Sequence, residues 1–329
     1  MKTALRQGRQ SLFVLVAGIA LVFAAAHANP LPAPGANPDD VFLFTSFRDA
    51  DQKFLRFLYS FDGYHWTNVP GTFLAAKVGA KKQFRDPSLL RGPDGTFHLV
   101  WTAGWHGDQG FGCASSRDLI HWSAQKLVPV MTNEPATVNV WAPELFYDAP
   151  SRQFVITWAS TIPGRFPDKL EKPDNNHRLY YTTTRDFETF APARLFFDPG
   201  FSVIDPFLVA AGGRWVLICK DNSRPELNLR VAFAGAPLGP WGEVSPPFTP
   251  KFTEGPCALK MGEDWLIYYD AYREHRYGAA RTRDFQTFTD ITKQVYFPPG
   301  HKHGTALRVP REILDGLLAG PAALTATNL

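Results

Sequence analysis

A short phrase is repeated along this chain: SFDGYHW at Ser60–Trp66, SRDLIHW at Ser116–Trp122, TRDFETF at Thr184–Phe190 and TRDFQTF at Thr282–Phe288. A looser version, AGAPLGPW, ends at Trp241. The closing aromatic residues follow one another at intervals of 47 to 68 residues. Self-similarity at such a period indicates stacked or radially arranged supersecondary units. Five copies in β-rich surroundings predict an all-β fold, a five-bladed β-propeller with one inner strand of each blade at a central axis.

Runs rich in aromatic and β-branched residues lie between the repeated phrases and have the composition of strands. These predicted strands are Val41–Ser46, Phe97–Thr102, Phe154–Ala159, Trp215–Cys219 and Trp265–Tyr269. Inside the phrase, an Asp at the third position fits a turn in which its carboxylate accepts hydrogen bonds from backbone N–H groups. We therefore expect a structural role for Asp62, Asp118, Asp186 and Asp284.

A segment with Pro near its start precedes each of the last four predicted strands. These segments are Arg85–Leu90 (RDPSLL), Trp141–Phe146 (WAPELF), Ile204–Val209 (IDPFLV) and Glu254–Leu259 (EGPCAL). Because Pro has no N–H to donate, it belongs at the start or the edge of a strand, and we predict that these are the innermost strands. The first repeat lacks such a segment. We predict that His303–Val309 pairs beside Val41–Ser46 and closes the ring, since an open propeller would leave strand edges unpaired.

Composition excludes several classes of protein. The formal net charge of +3 is spread along the chain, and no basic run exceeds Lys81-Lys82, so a nucleic-acid partner is not expected. The three cysteines, Cys113, Cys219 and Cys257, are far apart and lie in apolar stretches. This pattern predicts buried free thiols, and it fits neither a disulfide framework nor a zinc site.

The N-terminal residues have the pattern of a signal peptide. Three basic residues precede the apolar run Ser11–Ala26, and Ala26-His27-Ala28 is a small-x-small cleavage site. The alternative, a membrane anchor, is disfavoured because the run is short and a Pro-rich stretch follows it. We predict a signal peptide over 1–28, a linker over 29–40, a catalytic propeller over 41–310 and a C-terminal tail over 311–329 with one short helix. The mature protein is expected to be secreted or periplasmic, monomeric and free of the membrane.

The predicted inner strands bring charged residues to the mouth of the axis. The positions expected to face one another there are Asp86, Trp141 or Ala142, Asp205, Glu254 and His303. Three carboxylates at a narrow rim repel one another and raise each other's pKa, which lowers stability and points to a functional site. Each Asp-Pro or Glu-Gly-Pro alone would be an ordinary turn. Three of them at equivalent repeat positions favour function.

The order of these motifs, Arg-Asp-Pro, Trp-Ala-Pro, Ile-Asp-Pro and Glu-Gly-Pro, resembles glycoside hydrolase family 43 from about Phe84 to His303. The resemblance implies a five-bladed propeller that removes arabinofuranosyl, xylosyl or related units from plant-type oligosaccharides or polysaccharides with inversion. It implies that Asp86 is the general base, Glu254 the general acid, and Asp205 the residue that orients the acid and tunes its pKa. It also implies that His303 lies near a calcium or other cation, with no cofactor required for the reaction.

Inverting hydrolysis needs a protonated and an ionised carboxyl group roughly 6.5–9.5 Å apart. The like charge of Asp205 is expected to raise the pKa of Glu254, and Arg85 or solvent is expected to keep Asp86 ionised. Four aromatic residues near the inner strands are candidates for stacking on a sugar ring: Phe84, Trp105, Trp141 and Trp158. Packing inside the blades is the ordinary role of such rings, and only Trp141, which the resemblance places in the pocket lining, is favoured. His303 has an alternative role as a hydrogen-bonded core histidine.

Two other functions stay open. A retaining β-fructosidase also carries an Arg-Asp-Pro motif, but this chain lacks an Asn-Asp-Pro-Asn-Gly signature in its first repeat and has Ala142 where that acid would stand. A carbohydrate-binding propeller without activity is the second alternative, although binding alone does not require three crowded carboxylates. The long insertion Ile162–His177 is predicted to form a lid or wall over the pocket.

Overall fold

The computed structural model describes residues 40–166 and 175–320. The predicted signal peptide, nearly all of the linker, the middle of the insertion and the end of the tail lie outside these residues. Blade 1 contains β1 (Asp40–Arg48), β2 (Asp51–Ser60), β3 (Thr67–Asn68), β4 (Leu74–Ala75) and β20 (Ala306–Pro310). Blade 2 contains β5 (Arg85–Arg91), β6 (Phe97–Thr102), β7 (Phe111–Ser116) and β8 (Lys126–Val128).

The other three blades follow in chain order. Blade 3 contains β9 (Trp141–Asp148), β10 (Gln153–Ser160), β11 (Arg178–Thr184) and β12 (Arg194–Phe197). Blade 4 contains β13 (Val203–Ala211), β14 (Arg214–Asp221) and β15 (Asn228–Ala234). Blade 5 contains β16 (Thr253–Met261), β17 (Asp264–Ala271), β18 (Arg276–Thr282) and β19 (Thr289–Asp290). Strands that neighbour each other in a blade pair antiparallel, with β3 and β4 of blade 1 both pairing with β2. Strands of neighbouring blades are in contact all the way around the ring, so the predicted five-bladed β-propeller is confirmed.

The ring closes by pairing the two ends of the chain. Strand β20 runs antiparallel to β1, with Val309 opposite Val41 and Ala306 opposite Phe44. The predicted closing pair is therefore confirmed. The helix α1 (Arg311–Ala319) follows β20 directly, and its buried leucines pack against the core shared by blades 1 and 2. Within residues 40–166 and 175–320, no helix is both long enough and apolar enough to span a bilayer.

Four turns at the outer side of the blades repeat one hydrogen-bond pattern. In the first, Asp62 Oδ1 accepts hydrogen bonds from the N–H groups of Tyr64 at 2.7 Å and His65 at 2.8 Å. The same two bonds, at 2.8 to 2.9 Å, recur at the other three aspartates of the phrase: Asp118, Asp186 and Asp284. The predicted structural role of these aspartates is confirmed, because each carboxylate satisfies backbone donors that the turn leaves free.

Blade 4, which ends in the looser version of the phrase, has no fourth assigned strand among the described residues. Instead, the N–H groups of Gly242, Ser245 and Phe248 donate hydrogen bonds to carbonyl groups of β15. The segment thus lies along β15 as an irregular edge. Its prolines explain the irregularity, since a Pro cannot donate to a sheet ladder.

The predicted state of the cysteines is confirmed, because Cys113, Cys219 and Cys257 are buried and free. Burial raises the pKa of the Cys113 thiol to about 11, even though Lys126 acts in the opposite direction. A thiol with so high a pKa carries almost no thiolate at neutral pH and is chemically inert.

Candidate active site

Four inner strands share one backbone irregularity, which lies immediately before their Pro residue. Asp86, Ala142 and Asp205 have φ angles of 49°, 46° and 53°, and Gly255 has a φ of 55°. The pairing with the next strand shifts by an irregularity at the same place in β5, β13 and β16. A left-handed conformation at a non-glycine residue costs about 1–3 kcal/mol and is retained mainly at functional sites. Leu119, Phe187 and Phe285 of the outer turns share this conformation. It therefore supports a functional site at the axis only together with the convergence of Asp86 and Asp205 on one cavity.

This irregularity also corrects the expected alignment of the carboxylates. Asp86 and Asp205 stand at the left-handed position, whereas Glu254 stands one residue before it, so the three carboxylates do not occupy equivalent positions. Gly255 takes the equivalent position in blade 5. A Cβ atom at Gly255 would lie 2.4 Å from the His303 ring, and its N–H donates a 2.9 Å hydrogen bond to Asp205 Oδ2. Glycine is required there because the backbone approaches the histidine so closely.

The carboxylates converge as predicted despite the offset. Asp86, Asp205, Glu254 and His303 line one cavity of about 660 Å³ at the mouth of the axis. Nδ1 of His303 lies 3.1 Å from Asp86 Oδ1, and Nε2 lies 3.2 Å from Glu254 Oε1. One imidazole ring thus stands between two carboxylates that are 168 residues apart in the chain.

Lys220, at the inner end of β14, is a site residue that the sequence analysis missed. Its Nζ donates to Glu254 Oε2 at 2.7 Å, and its side chain is only 4% exposed. Burial raises the pKa of Glu254, but the charge of Lys220 and the hydrogen bond from His303 outweigh it and hold that pKa well below its usual range. A lysine at the end of the apolar run Trp215–Cys219 is a signal that could have found it, since lysine is almost never buried unless paired.

The expectation that Asp205 keeps Glu254 protonated is wrong for this arrangement. The group with the raised pKa is Asp205 itself, whose pKa rises to about 6. Burial is the main cause, and the charge of Glu254 adds to it, while His303 and Lys220 act against it. Asp205 therefore gains and loses its proton near pH 6. Glu254, whose pKa is strongly lowered, is ionised at that pH.

Asp86 behaves as predicted. Burial raises its pKa, but the close contact with His303 at 3.1 Å and the charge of Arg85 outweigh burial, so the pKa lies below its usual value. The hydroxyl group of Thr102 donates a 2.7 Å hydrogen bond to Asp86 Oδ2. These contacts favour the ionised form that a general base needs. Burial lowers the pKa of His303, yet Asp86 and Glu254 together raise it well above the usual histidine value.

The predicted cation near His303 would have to be held by the ligand atoms of this cavity. Potential ligand atoms of Asp205, Glu254 and His303 lie within 4.8 Å of one another. Calcium takes six to eight oxygen ligands, whereas both nitrogens of His303 face carboxylates and the ammonium of Lys220 already contacts Glu254. This donor set fits a protonated histidine and a lysine, and it does not fit calcium. The calcium site near His303 stays a prediction.

Two of the four predicted sugar-stacking residues line the cavity. The rings of Trp105 and Trp141 lie 4.9 Å apart, and Trp141 Nε1 donates a 2.6 Å hydrogen bond to the carbonyl oxygen of Trp105. Trp105 is 46% exposed, and the buried ring of His177 stacks on Trp141 at 4.9 Å. The two indoles form an apolar wall beside the carboxylates, as a sugar-binding site requires.

The other two predictions were wrong. Phe84 is fully buried and stacks on Trp101 at 4.8 Å in the core between blades 1 and 2. Trp158 is fully buried in the core of blade 3, where its Nε1 donates to Ser160 Oγ at 3.1 Å. Neither ring lines the cavity, because both side chains point into the packing between sheets.

Glu144 is a second residue that the sequence analysis missed. It lies two residues after Ala142 on β9 and lines a small cavity of about 30 Å³ deeper on the axis, together with Asp86 and His303. Burial raises the pKa of Glu144 to about 8, although a hydrogen bond with Ser88 opposes the shift. Glu144 is therefore neutral at pH 7 and adds no charge to the carboxylates above it.

A five-bladed propeller that gathers carboxylates, a histidine and paired indoles at the mouth of its axis has the construction of a glycoside hydrolase. The chain belongs to a glycosyl hydrolase family related to family 43, because the family description "Probable glycosyl hydrolase domain" matches residues 38–315. The described propeller is thus a glycosyl hydrolase domain of this family.

Individual proteins show more distant likeness. An α-L-arabinofuranosidase of Bifidobacterium longum subsp. longum is 26% identical over 159 residues, which cover 42% of this chain and 15% of that protein. The chain therefore spans only a small part of that relative. Two crystal structures share the fold: a thermostable family-43 glycoside hydrolase (TM-score 0.52, 15% identity, 67% of this chain and 78% of that one) and the α-L-arabinofuranosidase from Lactobacillus brevis (TM-score 0.51, 16% identity, 64% and 72%).

Proposed function

We propose that this glycosidase removes arabinofuranosyl or xylosyl units from plant-type glycans, with inversion at the anomeric carbon. The observation that carries the proposal is the position of His303 between Asp86 and Glu254. The carboxylates are separated by the imidazole ring and the two contacts of 3.1 and 3.2 Å, which together span about 7–8 Å. This spacing lies within the roughly 6.5–9.5 Å of inverting enzymes and exceeds the roughly 5–5.5 Å of retaining enzymes. Because the imidazole ring occupies the direct line between the two carboxylates, the attacking water would approach Asp86 from the cavity that all three residues line.

Arabinofuranosyl units are the first choice of substrate. The similar proteins from Bifidobacterium longum and Lactobacillus brevis are both named α-L-arabinofuranosidases. The cavity of about 660 Å³ has room for a sugar of this size against the two indoles. Xylosyl units are the second choice because a pentose ring of similar size fits the same wall.

In the proposed reaction, Asp86 accepts a proton from the attacking water while Glu254 donates one to the leaving oxygen. The low pKa of Glu254 means that its proton must be supplied, and His303 Nε2 lies 3.2 Å from Glu254 Oε1. Protonated His303 therefore gives its proton to Glu254 as the leaving oxygen arrives. After cleavage, Asp86 releases the proton that it took from the water to solvent. His303 kept its Nδ1 proton beside Asp86, and its Nε2 takes a proton back from solvent, so the charges are restored.

The test uses a panel of 4-nitrophenyl glycosides, including the α-L-arabinofuranoside and the β-D-xylopyranoside. Proton NMR of the first-formed sugar reports its anomeric configuration. We expect hydrolysis of the arabinofuranoside with an inverted first product. Retention would overturn the mechanism and favour the β-fructosidase type of chemistry, and glycan binding without hydrolysis of any substrate would favour the carbohydrate-binding alternative.

We also propose that the enzyme is exported and acts as a monomer outside the cytoplasm. The basic residues, apolar run and Ala26-His27-Ala28 site at the N-terminus support export. N-terminal sequencing of the protein recovered from the periplasm or medium of the producing cell tests the cleavage site. Size-exclusion chromatography with light scattering tests the monomer.

A further inference from the structure

Three cations of blades 4 and 5 stand along one side of the cavity. Arg224 lies in the loop after β14, Lys251 in the segment before β16, and Arg273 in the turn after β17. All three are exposed, and all three line the same cavity as Glu254. We refer to Arg224, Lys251 and Arg273 as the cationic rim.

The acidic neighbours of the cationic rim are already paired with other residues. Glu226 accepts from Arg230 at 3.0 Å, and Glu274 pairs with Arg276. Within residues 40–166 and 175–320, no ion pair connects a carboxylate to Arg224, Lys251 or Arg273. Among the described residues, the three positive charges therefore have no carboxylate partner.

The backbone holds the cationic rim in place. The N–H of Phe252 donates a 2.7 Å hydrogen bond to the carbonyl oxygen of Leu227, and the N–H of Leu227 donates to that of Ser223 at 3.2 Å. These bonds tie the loop of Arg224 to the segment of Lys251. The guanidinium of Arg273 lies 3.5 Å from the centroid of the Phe252 ring. Stacking on a ring fixes the plane of a guanidinium while leaving its N–H edge free for an anion.

Isolated arginines on a protein surface serve solubility and need no ligand. The cationic rim differs because its members converge on the cavity of the carboxylates, which a neutral sugar would not require. We infer that the glycan bound here carries an anionic group, the carboxylate of a uronic acid or a sulfate ester, on the sugar beside blades 4 and 5. Arginine recognises both groups through paired, charge-assisted hydrogen bonds. This inference rests on the proposed function, since it names the substrate of the same site.

The binding test uses the variant Glu254→Gln, so that the sugar is not turned over. Methyl β-D-glucuronide is compared with methyl β-D-glucoside, and galactose 6-sulfate with galactose, by NMR titration. We expect at least one anionic probe to bind tenfold or more tightly than its neutral partner, and we expect 0.5 M salt to reduce that difference. A stronger effect of the glucuronide identifies a uronate, and a stronger effect of the sulfate identifies a sulfate ester.

Two further variants assign the effect to the cationic rim. Adding Arg224→Ala and Arg273→Ala should remove the preference for the anionic probe and leave the affinity for the neutral probe within twofold. The matched control is Arg194→Ala, an exposed arginine on the outer strand β12 of blade 3, which should change neither affinity. Equal binding of charged and neutral probes, or an anion preference that survives the double variant, would overturn the inference.

The outcome is separable from that of the proposed function. Hydrolysis of the neutral aryl arabinofuranoside by the unmodified enzyme tests the reaction alone. If the enzyme hydrolyses it with inversion but shows no anion preference, only the inference about the cationic rim is wrong. If no aryl glycoside is hydrolysed while anionic probes bind to the cationic rim, the proposed reaction is wrong and the anion site stands.

Discussion

The outer turns and the axis use the same residue type, a carboxylate repeated from blade to blade, in opposite ways. In an outer turn such as that of Asp186, backbone N–H groups of Thr189 and Glu188 are the main cause that lowers the carboxyl pKa to about 2. At the axis, Asp205 is buried with other carboxylates nearby, and its pKa is raised to about 6. The outer carboxylate is satisfied by local donors and stabilises one turn. The axial carboxyl group of Asp205 is buried and repelled by the charge of Glu254, which raises its pKa. A carboxyl group with a raised pKa can exchange a proton near neutral pH, and such groups are typical of active sites.

The largest expected effect comes from removing axial carboxylates. Asp86→Asn and Glu254→Gln should each lower kcat/KM about 10²–10⁴-fold, because each removes a general base or acid. The matched control is Asp284→Asn, which keeps an accepting oxygen in the fourth outer turn and should leave kcat/KM within twofold. Initial rates on the 4-nitrophenyl arabinofuranoside measure all three. If the outer variant lost as much activity as the axial ones, the contrast between the two sets would be wrong.

A second prediction concerns Lys220. Lys220→Met leaves Glu254 without the ammonium that contacts it at 2.7 Å, so the pKa of Glu254 should rise and the variant should lose up to about 3 kcal/mol of stability. In the unmodified protein, this stabilisation is present above the unfolded glutamate pKa and is lost only as pH falls through the still lower folded pKa of Glu254. In the variant, the buried Glu254 should have a pKa above the unfolded value, so that it is neutral at pH 4 but charged and without its ammonium at pH 8. The stability loss should therefore be larger at pH 8 than at pH 4.

Urea unfolding at both pH values measures this difference. Lys260→Met provides the control, since Lys260 is an exposed lysine of β16 whose Nζ donates only to a carbonyl oxygen. An equal loss at pH 4 and pH 8 for Lys220→Met would show that packing, and not its charge, is what Lys220 contributes.

The third prediction tests Asp205 through stability. Its folded pKa of about 6 exceeds the ordinary aspartate pKa of 3.8. The folded state therefore holds a proton that the unfolded state releases, and stability falls as pH rises from about 4 to 6. Asp205→Asn removes this loss. The variant should be roughly 1–3 kcal/mol more stable than the unmodified protein at pH 8 and nearly equal to it at pH 4. Thermal unfolding across that pH range measures the gap, and a gap that does not depend on pH would contradict the raised pKa.

The blades could be predicted from the sequence because each copy of the repeated phrase is a local structure. Four aspartates with the same neighbours make the same turn, and the strands between them follow. The closing pair of β20 with β1 was also predictable, since one repeat lacked its inner strand and the other end of the chain supplied it. Local patterns and the need to pair every edge were sufficient for the fold.

The site was predictable only in part. The convergence of Asp86, Asp205 and Glu254 followed from the topology, but Lys220 reaches the site from a second strand, which no inner-strand motif indicates. The one-residue offset of Glu254 is present in the sequence, since Glu254 stands two residues before its Pro whereas Asp86 and Asp205 stand one residue before theirs, but the three positions were treated as equivalent. Phe84 was assigned to the pocket by nearness in sequence, although successive strand residues face opposite sides and nearness does not fix the face.

The smallest expected effect belongs to the outer turns. Asp118→Ala removes the acceptor of the 2.9 and 2.8 Å hydrogen bonds from Ile120 and His121, and we expect a loss of about 1 kcal/mol and a lower Tm by roughly 2–4 °C. Asp118→Asn keeps one accepting oxygen and should lose less. Since the turn lies at the outer side of blade 2 and away from the cavity, the kcat/KM of both variants should stay within twofold of the unmodified enzyme. A drop in activity without a drop in Tm would mean that the outer carboxylates also serve the axis, and the two sets would no longer be distinct.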